Sequence, residues 1–379
     1  MVAFATNGAL PASLLARYAE VKDTLELSPA IFGLVVVGLG LGGALALHVP
    51  GIIARRIGVA RTAAFGSVWM GAALTLAAVG VALGSPWVVV LGLLLTGFGD
   101  ASVDVAQNSQ GLRVQAAYRR SLLNSMHAGW SIGAAIGGGV GTLAAVMGVP
   151  LVVHMAIWAL FCILAMSLAA RAFMPEPIAE DAVDAPVRPS GWSTAKILLP
   201  LALIALAGIS VEDIGNNWSA VLLSTERGMD AASAGVGLSV LLGAQFIGRM
   251  LGDRVIDRIG ERASLVGSLS AVILGLLGAA WAPGIGWTLA GLAVAGLGCA
   301  VTVPLAFARA DRVPGLPDHS GVTWISWAMR AVMLGLSPAI GVMTQGSSLP
   351  VAISVVVVIA VLALVLQLRP RRSAVSADR

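Results

Sequence analysis

The sequence predicts an all-α membrane protein of about twelve transmembrane helices in two six-helix, pseudo-symmetric bundles. First, 58% of its 379 residues are hydrophobic and only 11% are charged, whereas soluble domains hold roughly 25% charged residues. Second, apolar runs of about 20 residues recur along the chain, and each could cross a hydrocarbon layer roughly 30 Å thick as a helix. Third, short sequence matches recur at an offset of about 204 residues.

The apolar runs divide the chain into twelve predicted spans. They lie near residues 1–19, 28–50, 62–83, 86–110, 121–147, 150–171, 196–223, 232–252, 263–282, 286–307, 320–345 and 348–368. Residues 1–172 would form one bundle and 196–369 the other, joined by a Pro-rich cytoplasmic linker at 173–195 and followed by a tail at 370–379. Only sixteen residues precede Arg17, so we expect the first helix to be truncated. The N-terminus also lacks the features of a removable signal peptide.

The basic residues predict the orientation of the spans. Of the 23 Lys and Arg residues, nineteen lie in the connections on one side or in the tail. The opposite connections hold Arg17, Lys22 and Arg227, and we call that side the Arg-poor end. By the positive-inside rule the Arg-rich end and both termini face the cytoplasm. Four Trp residues near the Arg-poor end are expected to be interfacial anchors: Trp87, Trp218, Trp281 and Trp287.

The internal repeat rests on three alignments of the chain with itself. Residues 27–33 match 230–237, residues 135–137 match 339–341, and Arg55 to Gly58 matches Asp257 to Gly260 at a shift near 202. Two halves in the same orientation could rock against each other around a central site.

The repeated loop carries a resemblance to a known family. The copies are Gly51-Ile-Ile-Ala-Arg55-Arg56-Ile-Gly58 and Asp253-Arg254-Val-Ile-Asp257-Arg258-Ile-Gly260. They resemble the Gly-x-x-x-Asp-Arg-x-Gly signature of the major facilitator superfamily, although Arg55 stands at the acidic position and Asp253 replaces the leading Gly. The resemblance implies a conformational latch; the alternative is that these are only positive-inside charges. The expected gating residues are Arg55, Arg56, Gly58, Asp253, Asp257, Arg258 and Gly260.

Two further segments refine the resemblance. Residues 97–108 and 120–133 are similar to the fucose-permease-like, sugar-porter branch of bacterial permeases, which implies a sugar or a related polar solute. Residues 129–138 resemble the span-five signature of proton–drug antiporters, except that Ala134 replaces its Pro. Drug efflux therefore remains an alternative.

Polar residues of span 4 are the first candidates for the site. Asp100, Asp104 and Asn108 recur every four residues, so they share one helical face. A carboxylate is costly against lipid, so we expect this face to point into the bundle or a wet cavity, where desolvation favours the protonated carboxyl group. The face is either a proton relay or a structural hydrogen-bond network.

Span 7 supplies a second group of candidates, Glu212, Asp213, Asn216 and Asn217. The family resemblance implies that spans 1, 4, 7 and 10 line a central cavity, so carboxylates of spans 4 and 7 could face each other. Glu212 is the leading candidate for coupling or substrate binding, with Asp213 as a helix-packing partner.

Four other side chains complete the candidate site. His127 could relay protons or simply pack. Arg330 is taken as the only basic side chain deep in a span, so it needs a carboxylate such as Asp100 or Glu212, or an anionic group of the substrate. Trp130 and Trp327 could stack on a sugar ring or a drug, or could pack between helices.

The sequence argues against several other classes of protein. Residues 38–43 match Gly-x-Gly-x-x-Gly, but they lie inside an apolar helix, where small residues let helices approach closely. Cys162 and Cys299 have no second Cys or His at metal-ligand spacing. We see no nucleophile–base pair and no phosphate-binding loop. We therefore expect no enzyme, no cofactor, no metal and no nucleic-acid partner.

The functional prediction is a secondary active transporter that moves a small polar solute, such as a sugar, by alternating access. It would act with protons, as a monomer, in the inner membrane of a bacterium. The alternatives are a proton-coupled drug efflux antiporter and a receptor or assembly protein that keeps the fold without transporting.

Overall fold

A computed structural model describes residues 1–46, 49–119, 122–174, 192–310, 312–313 and 320–368. The first six spans consist of the helices Val2–Leu15 and Tyr18–Thr24, Pro29–Ala46 and Val49–Ile57, Val59–Ala82, Pro86–Tyr118, Leu123–Val146, and Leu151–Arg171. Span 7 is Trp192–Asp213, which continues as Ile214–Trp218, Ser219–Val221 and Leu222–Glu226. The remaining spans are Val236–Trp281, Ile285–Cys299 with Thr302–Ala310, Ser320–Gly346, and Leu349–Leu368.

These helices confirm the predicted all-α architecture of twelve spans. Ten helical stretches in the described ranges are at least 18 residues long and apolar enough to cross a membrane. The 46-residue stretch Val236–Trp281 holds spans 8 and 9, because the backbone leaves the helical conformation at Gly260. The first span is shorter, with 14 residues in Val2–Leu15. Most of the predicted linker, residues 175–191, lies outside the described ranges, as does the whole predicted tail, 370–379.

The backbone repeats the same local conformation in both halves. Gly58 has φ 88° and ψ 151°, and Gly260, 202 residues later, has φ 80° and ψ 160°. Only glycine adopts this region without strain, so the loop signature keeps its glycine in each copy to turn the chain between two spans. The connections after spans 1 and 7 also share a positive φ, at Glu26 and Gly228.

Close helix contact within the first half depends on glycines spaced four residues apart. Gly133, Gly137 and Gly141 on span 5 lie against the backbone of Ala5, Ala9 and Ser13 on span 1. A Cβ atom at Gly137 would lie 2.7 Å from the carbonyl carbon of Ala9. In a bilayer helices associate through such close packing, because lipid tails are as apolar as the side chains they would replace.

The glycines of residues 38–43 serve the same purpose. Gly42 lies against the backbone of Leu94, and a Cβ atom at Gly38 would lie 3.1 Å from the carbonyl oxygen of Val90. Spans 2 and 4 therefore touch where the sequence carries its glycine-rich run.

The two halves meet through spans 2 and 11 and through spans 5 and 8. Near the Arg-poor end, Gly33 of span 2 lies against the backbone of Ser337, and Gly341 of span 11 lies against Pro29. Gly235, before span 8, lies against Ala16. The halves are therefore closely packed at the Arg-poor end.

Three of the four expected Trp anchors are exposed, and one is not. Trp87, Trp281 and Trp287 are 82%, 57% and 68% exposed, as side chains facing lipid or its interface would be. Trp218 is fully buried at 0%, so the prediction that it anchors the chain at the interface is wrong. Its indole lies inside the contact between the halves.

We expect Gly137→Ala to lower the free energy of unfolding by about 1–3 kcal/mol, because the added methyl group overpacks the contact with Ala9. Thermal unfolding of the purified protein in detergent measures the change. Gly335→Ala is the matched control, since no atom lies within 4 Å of the Cβ position there. A loss of stability in the control as large as that in Gly137→Ala would contradict the packing argument.

Candidate functional site

Span 7 places its two adjacent acids in different environments. The α-helix ends at Asp213, and the chain continues through π-helical turns at Ile214–Trp218 and Leu222–Glu226. Such turns within α-helices often occur at functional sites. Because neighbouring helical residues point about 100° apart, Glu212 faces span 8 while Asp213 faces span 11.

Glu212 forms an ion pair with Arg249 of span 8. The Arg249 Nη2 donates to Glu212 Oε1 at 3.0 Å, and Gln245 Nε2 donates to the same oxygen at 2.5 Å. The side chains of Arg249 and Glu212 are 22% and 17% exposed. The second guanidinium nitrogen, Nη1, donates to Ser131 Oγ of span 5 at 2.5 Å. This network crosses from the second half of the protein to the first.

Asp213 belongs to a separate, buried cluster. Ser337 Oγ of span 11 donates to its Oδ2 at 2.7 Å, and Asn217 Nδ2 donates to its Oδ1 at 2.9 Å. Ser337 Oγ also accepts from Asn217 at 3.1 Å and from Trp218 Nε1 at 3.0 Å. Both carboxylate oxygens therefore have donors, and spans 7 and 11 are joined near the Arg-poor end. The role of Asp213 as a helix-packing partner stays a prediction.

Beside this cluster, aromatic side chains of the two halves pack against each other. Phe32 of span 2 lies edge-to-face against Trp218, with ring centroids 5.4 Å apart, and Tyr18 lies 5.6 Å from Phe32 in the same manner. All three side chains are at most 1% exposed. Edge-to-face pairs of this kind add specific attraction to the burial of apolar area.

The acids of span 4 have amide partners instead of cations. Asn7 Nδ2 of span 1 donates to Asp100 Oδ1 at 3.1 Å. Asp104 Oδ1 accepts from Gln107 at 3.1 Å and from Asn108 at 2.9 Å, both on the same helix. Asp104 is exposed, and Asp100 and Asn108 are half-buried.

His127 interacts electrostatically with acids of both span 4 and span 7. Its ring packs edge-to-face against Phe4, with centroids 5.2 Å apart, and it feels the charges of Asp104, Glu212 and Arg249. Trp130, one turn further along span 5, is half-buried and packs against the core. Asn216 is half-buried on span 7.

The structure corrects the predictions made for Arg330. Arg330 is not the only basic side chain deep in a span, because Arg249 lies well inside span 8. Neither Asp100 nor Glu212 pairs with Arg330, whose side chain is exposed and has no ion pair among the described residues. Trp327, one turn earlier in span 11, is 63% exposed. Which neighbours a helix has, and how it is rotated, decided which arginine reaches Glu212.

The expected latch residues do not form the ion pairs seen at the Arg-rich end. Arg55, Arg56, Asp253, Asp257 and Arg258 are exposed, and none has an opposite charge within 4 Å in the described part of the chain. The acid that pairs there stands just after the signature glycine: Glu261 binds Arg309 of span 10 at 3.0 Å and Arg312 at 3.1 Å. Arg309 also donates to Gln367 at the end of span 12.

Sequence reasoning missed several partners. It placed Arg249 among connection charges and did not single out Gln245, although the two lie one helical turn apart on span 8. It also left Ser131 and Ser337 without a role, because a lone serine in an apolar run carries no periodic signal. Arg17, expected in a connection, is 3% exposed and contacts Glu20 at 2.7 Å and His154 at 3.3 Å.

The side chains of this region can donate and accept hydrogen bonds and can pair opposite charges. Within the described ranges no group of three or more His, Cys, Asp or Glu side chains could hold a metal ion. Two bundles packed at one end, with contacts among charged and amide side chains of spans 1, 4, 5, 7 and 8, are typical of a polytopic membrane transporter.

Residues 1–341 match the Major Facilitator Superfamily. The chain belongs to this superfamily: it is a membrane transporter, not an enzyme. It is 29% identical over 334 residues to an uncharacterized MFS-type transporter of Yersinia pestis, covering 87% of this chain and 84% of the relative. It is also 27% identical over 370 residues to an uncharacterized transporter of Sinorhizobium fredii, covering 96% and 95%.

Solved structures share the fold. The nucleoside transporter NupG superimposes with a TM-score of 0.67 at 15% identity, covering 97% of this chain and 95% of that one. The E. coli Fucose:proton symporter FucP gives 0.56 at 17% identity, covering 96% and 98%. A bacterial homolog to the human lysosomal transporter Spinster gives 0.64 at 14% identity, covering 96% and 94%. At these identities the likeness establishes the fold alone.

Removing one member of the Glu212–Arg249 pair should destabilise the protein. We expect Arg249→Met to cost about 1–3 kcal/mol, because it leaves Glu212 without its charged donor. The double variant Arg249→Met, Glu212→Gln should recover part of the loss, since no charge is then left alone. Thermal unfolding in detergent compares four proteins: the wild type, Arg249→Met, Glu212→Gln and the double variant. Additive losses would show that the two side chains do not interact.

Ser337→Ala should loosen the contact between spans 7 and 11. The change removes a donor to Asp213 and the acceptor shared by Asn217 and Trp218, at a cost of about 1–3 kcal/mol. Ser347→Ala is the control, because the Ser347 hydroxyl donates only to Met343 of its own span. Equal melting temperatures for the two variants would rule out this role of Ser337.

Proposed function

We propose that the protein moves a small polar solute, such as a sugar, across the inner membrane of a bacterium by proton-coupled alternating access. The observation that carries the proposal is the network of Glu212, Arg249, Gln245 and Ser131. Charges at this depth are expensive to keep without function. Protonation of Glu212, or a solute that binds it, would release Arg249 and so alter the link to Ser131.

The packing of the halves fits one state of such a cycle. The Arg-poor end is closed by Phe32 on Trp218 and by Gly33 on Ser337. If the Arg-rich end and both termini are cytoplasmic, this is the state closed to the outside. In the outward-open state these contacts would separate, and each half would move as a rigid body. The functional unit in this proposal is a monomer.

Transport into proteoliposomes tests the proposal. Radiolabelled L-fucose, D-glucose and uridine serve as probes, with and without an imposed inside-alkaline pH gradient. We expect the gradient to drive accumulation of at least one probe and a protonophore to abolish it. Glu212→Gln and Asp104→Asn should each reduce uptake about tenfold, the loss expected when one charge-assisted contact is removed.

Uptake that does not depend on the pH gradient and is unchanged in both variants would contradict this mechanism. A drug screen distinguishes the alternative of drug efflux from solute uptake. If the protein is an efflux antiporter, cells that lack it become more sensitive to hydrophobic cations. A protein that shows no counterflow of any probe would instead be a receptor or assembly protein.

A further inference from the structure

Asp100 and Asp104 differ from Glu212 and Asp213, the two adjacent acids of span 7. Glu212 is neutralised by Arg249, and Asp213 has donors on both carboxylate oxygens. Neither Asp100 nor Asp104 has an ion pair among the described residues, although they lie one turn apart on span 4 and interact electrostatically. This pair therefore places up to two negative charges at one point of the site.

Each of these carboxylates keeps an oxygen without a donor. Asn7 donates to Asp100 Oδ1, while Gln107 and Asn108 both donate to Asp104 Oδ1. Within the described ranges no side chain or backbone group donates to either Oδ2. Since Asp104 is exposed and Asp100 half-buried, a solute in the centre of the protein can reach them.

The buried amides around the acids also lack donors. Asn7 is 4% exposed and Gln107 1% exposed. A carboxylate only accepts hydrogen bonds, so each amide must turn its nitrogen toward its acid. Asn7 Oδ1 and Gln107 Oε1 are then left beside the acids, buried and without a partner.

The missing partners are thus all of one kind. The cluster holds unsatisfied acceptors and uncompensated negative charge, and what it lacks is donors and a cation. His127 interacts electrostatically with Asp104, but its ring packs on Phe4, and within the described ranges it makes no hydrogen bond to either acid. A hydroxyl group could donate only one hydrogen bond and would leave the charge in place, whereas an ammonium group brings three donors and a positive charge.

We propose that Asp100 and Asp104 bind the protonated amino group of an organic solute, with Asn7 and Gln107 as positioning residues for the two acids. This inference rests on the proposed function, because it names the chemical class of the transported solute. The solute is a polar molecule with a primary amine, such as an amino sugar or a short polyamine. A neutral sugar presents only hydroxyl groups to the same carboxylates.

Binding to the purified full-length protein tests the assignment with matched probes in a choline buffer free of Na⁺. The pairs are D-glucosamine with D-glucose, and putrescine with 1,4-butanediol. In at least one pair we expect the amine to raise the melting temperature and to bind about tenfold to a hundredfold more tightly than its hydroxyl counterpart. Asp104→Asn and Asp100→Asn should each reduce that preference about tenfold, while Asp104→Glu keeps it.

Asp23→Asn is the matched control, since Asp23 is 54% exposed near the end of the helix Tyr18–Thr24 and its change should leave the preference intact. Equal affinity within both pairs, no binding of either amine, or a preference that survives Asp104→Asn would overturn the proposal. Stabilisation by Na⁺ alone that disappears in Asp104→Asn would also overturn it, in favour of an inorganic cation site.

The transport assay separates this inference from the proposed function. If neutral sugars are accumulated and the amines have no advantage, the amine site is wrong and the transporter mechanism stands. If the amines bind with the expected preference but no probe is transported, the site stands and the transport proposal fails.

Discussion

A hydrocarbon layer offers neither water nor counter-ions, so each polar group within it needs a partner from the protein. The acids of span 7 follow that constraint. The Glu212 carboxylate is held by Arg249 and Gln245, and the second arm of the guanidinium reaches Ser131 in the other half. One charged residue on span 7 therefore fixes the relation of spans 5, 7 and 8. Under the proposed mechanism, a change in the protonation or ligation of Glu212 would alter this contact between the halves.

Close packing supplies the rest of the cohesion. In lipid, apolar side chains gain little by leaving one apolar neighbour for another, so helices associate where their backbones can approach. The glycine stripe of span 5 lets span 1 lie directly against it, and the residues around Gly42 do the same for spans 2 and 4. These glycine runs, which resemble nucleotide-binding and antiporter signatures in sequence, are explained here by helix contact.

The two halves share a scaffold but not a chemistry. Gly58 and Gly260 adopt the same rare backbone conformation 202 residues apart, so the turn between two spans is repeated. The side chains around it diverge: Arg55 stands where the second copy has Asp257, and Glu261 alone binds Arg309 and Arg312. The first half carries the acids of span 4, and the second carries the ion pair. The polar side chains of the two halves are therefore arranged asymmetrically.

The sequence by itself predicted the helical spans and placed Asp100, Asp104 and Glu212 within spans 4 and 7, because hydropathy and helical period are local properties of the chain. It could not choose the partner of Glu212 or foresee that Trp218 is buried. Those outcomes depend on which helices are neighbours and how each is rotated about its axis, and both are set by contacts between segments far apart in sequence. Ser131 and Ser337 became meaningful only when such contacts placed a guanidinium beside one and a carboxylate beside the other.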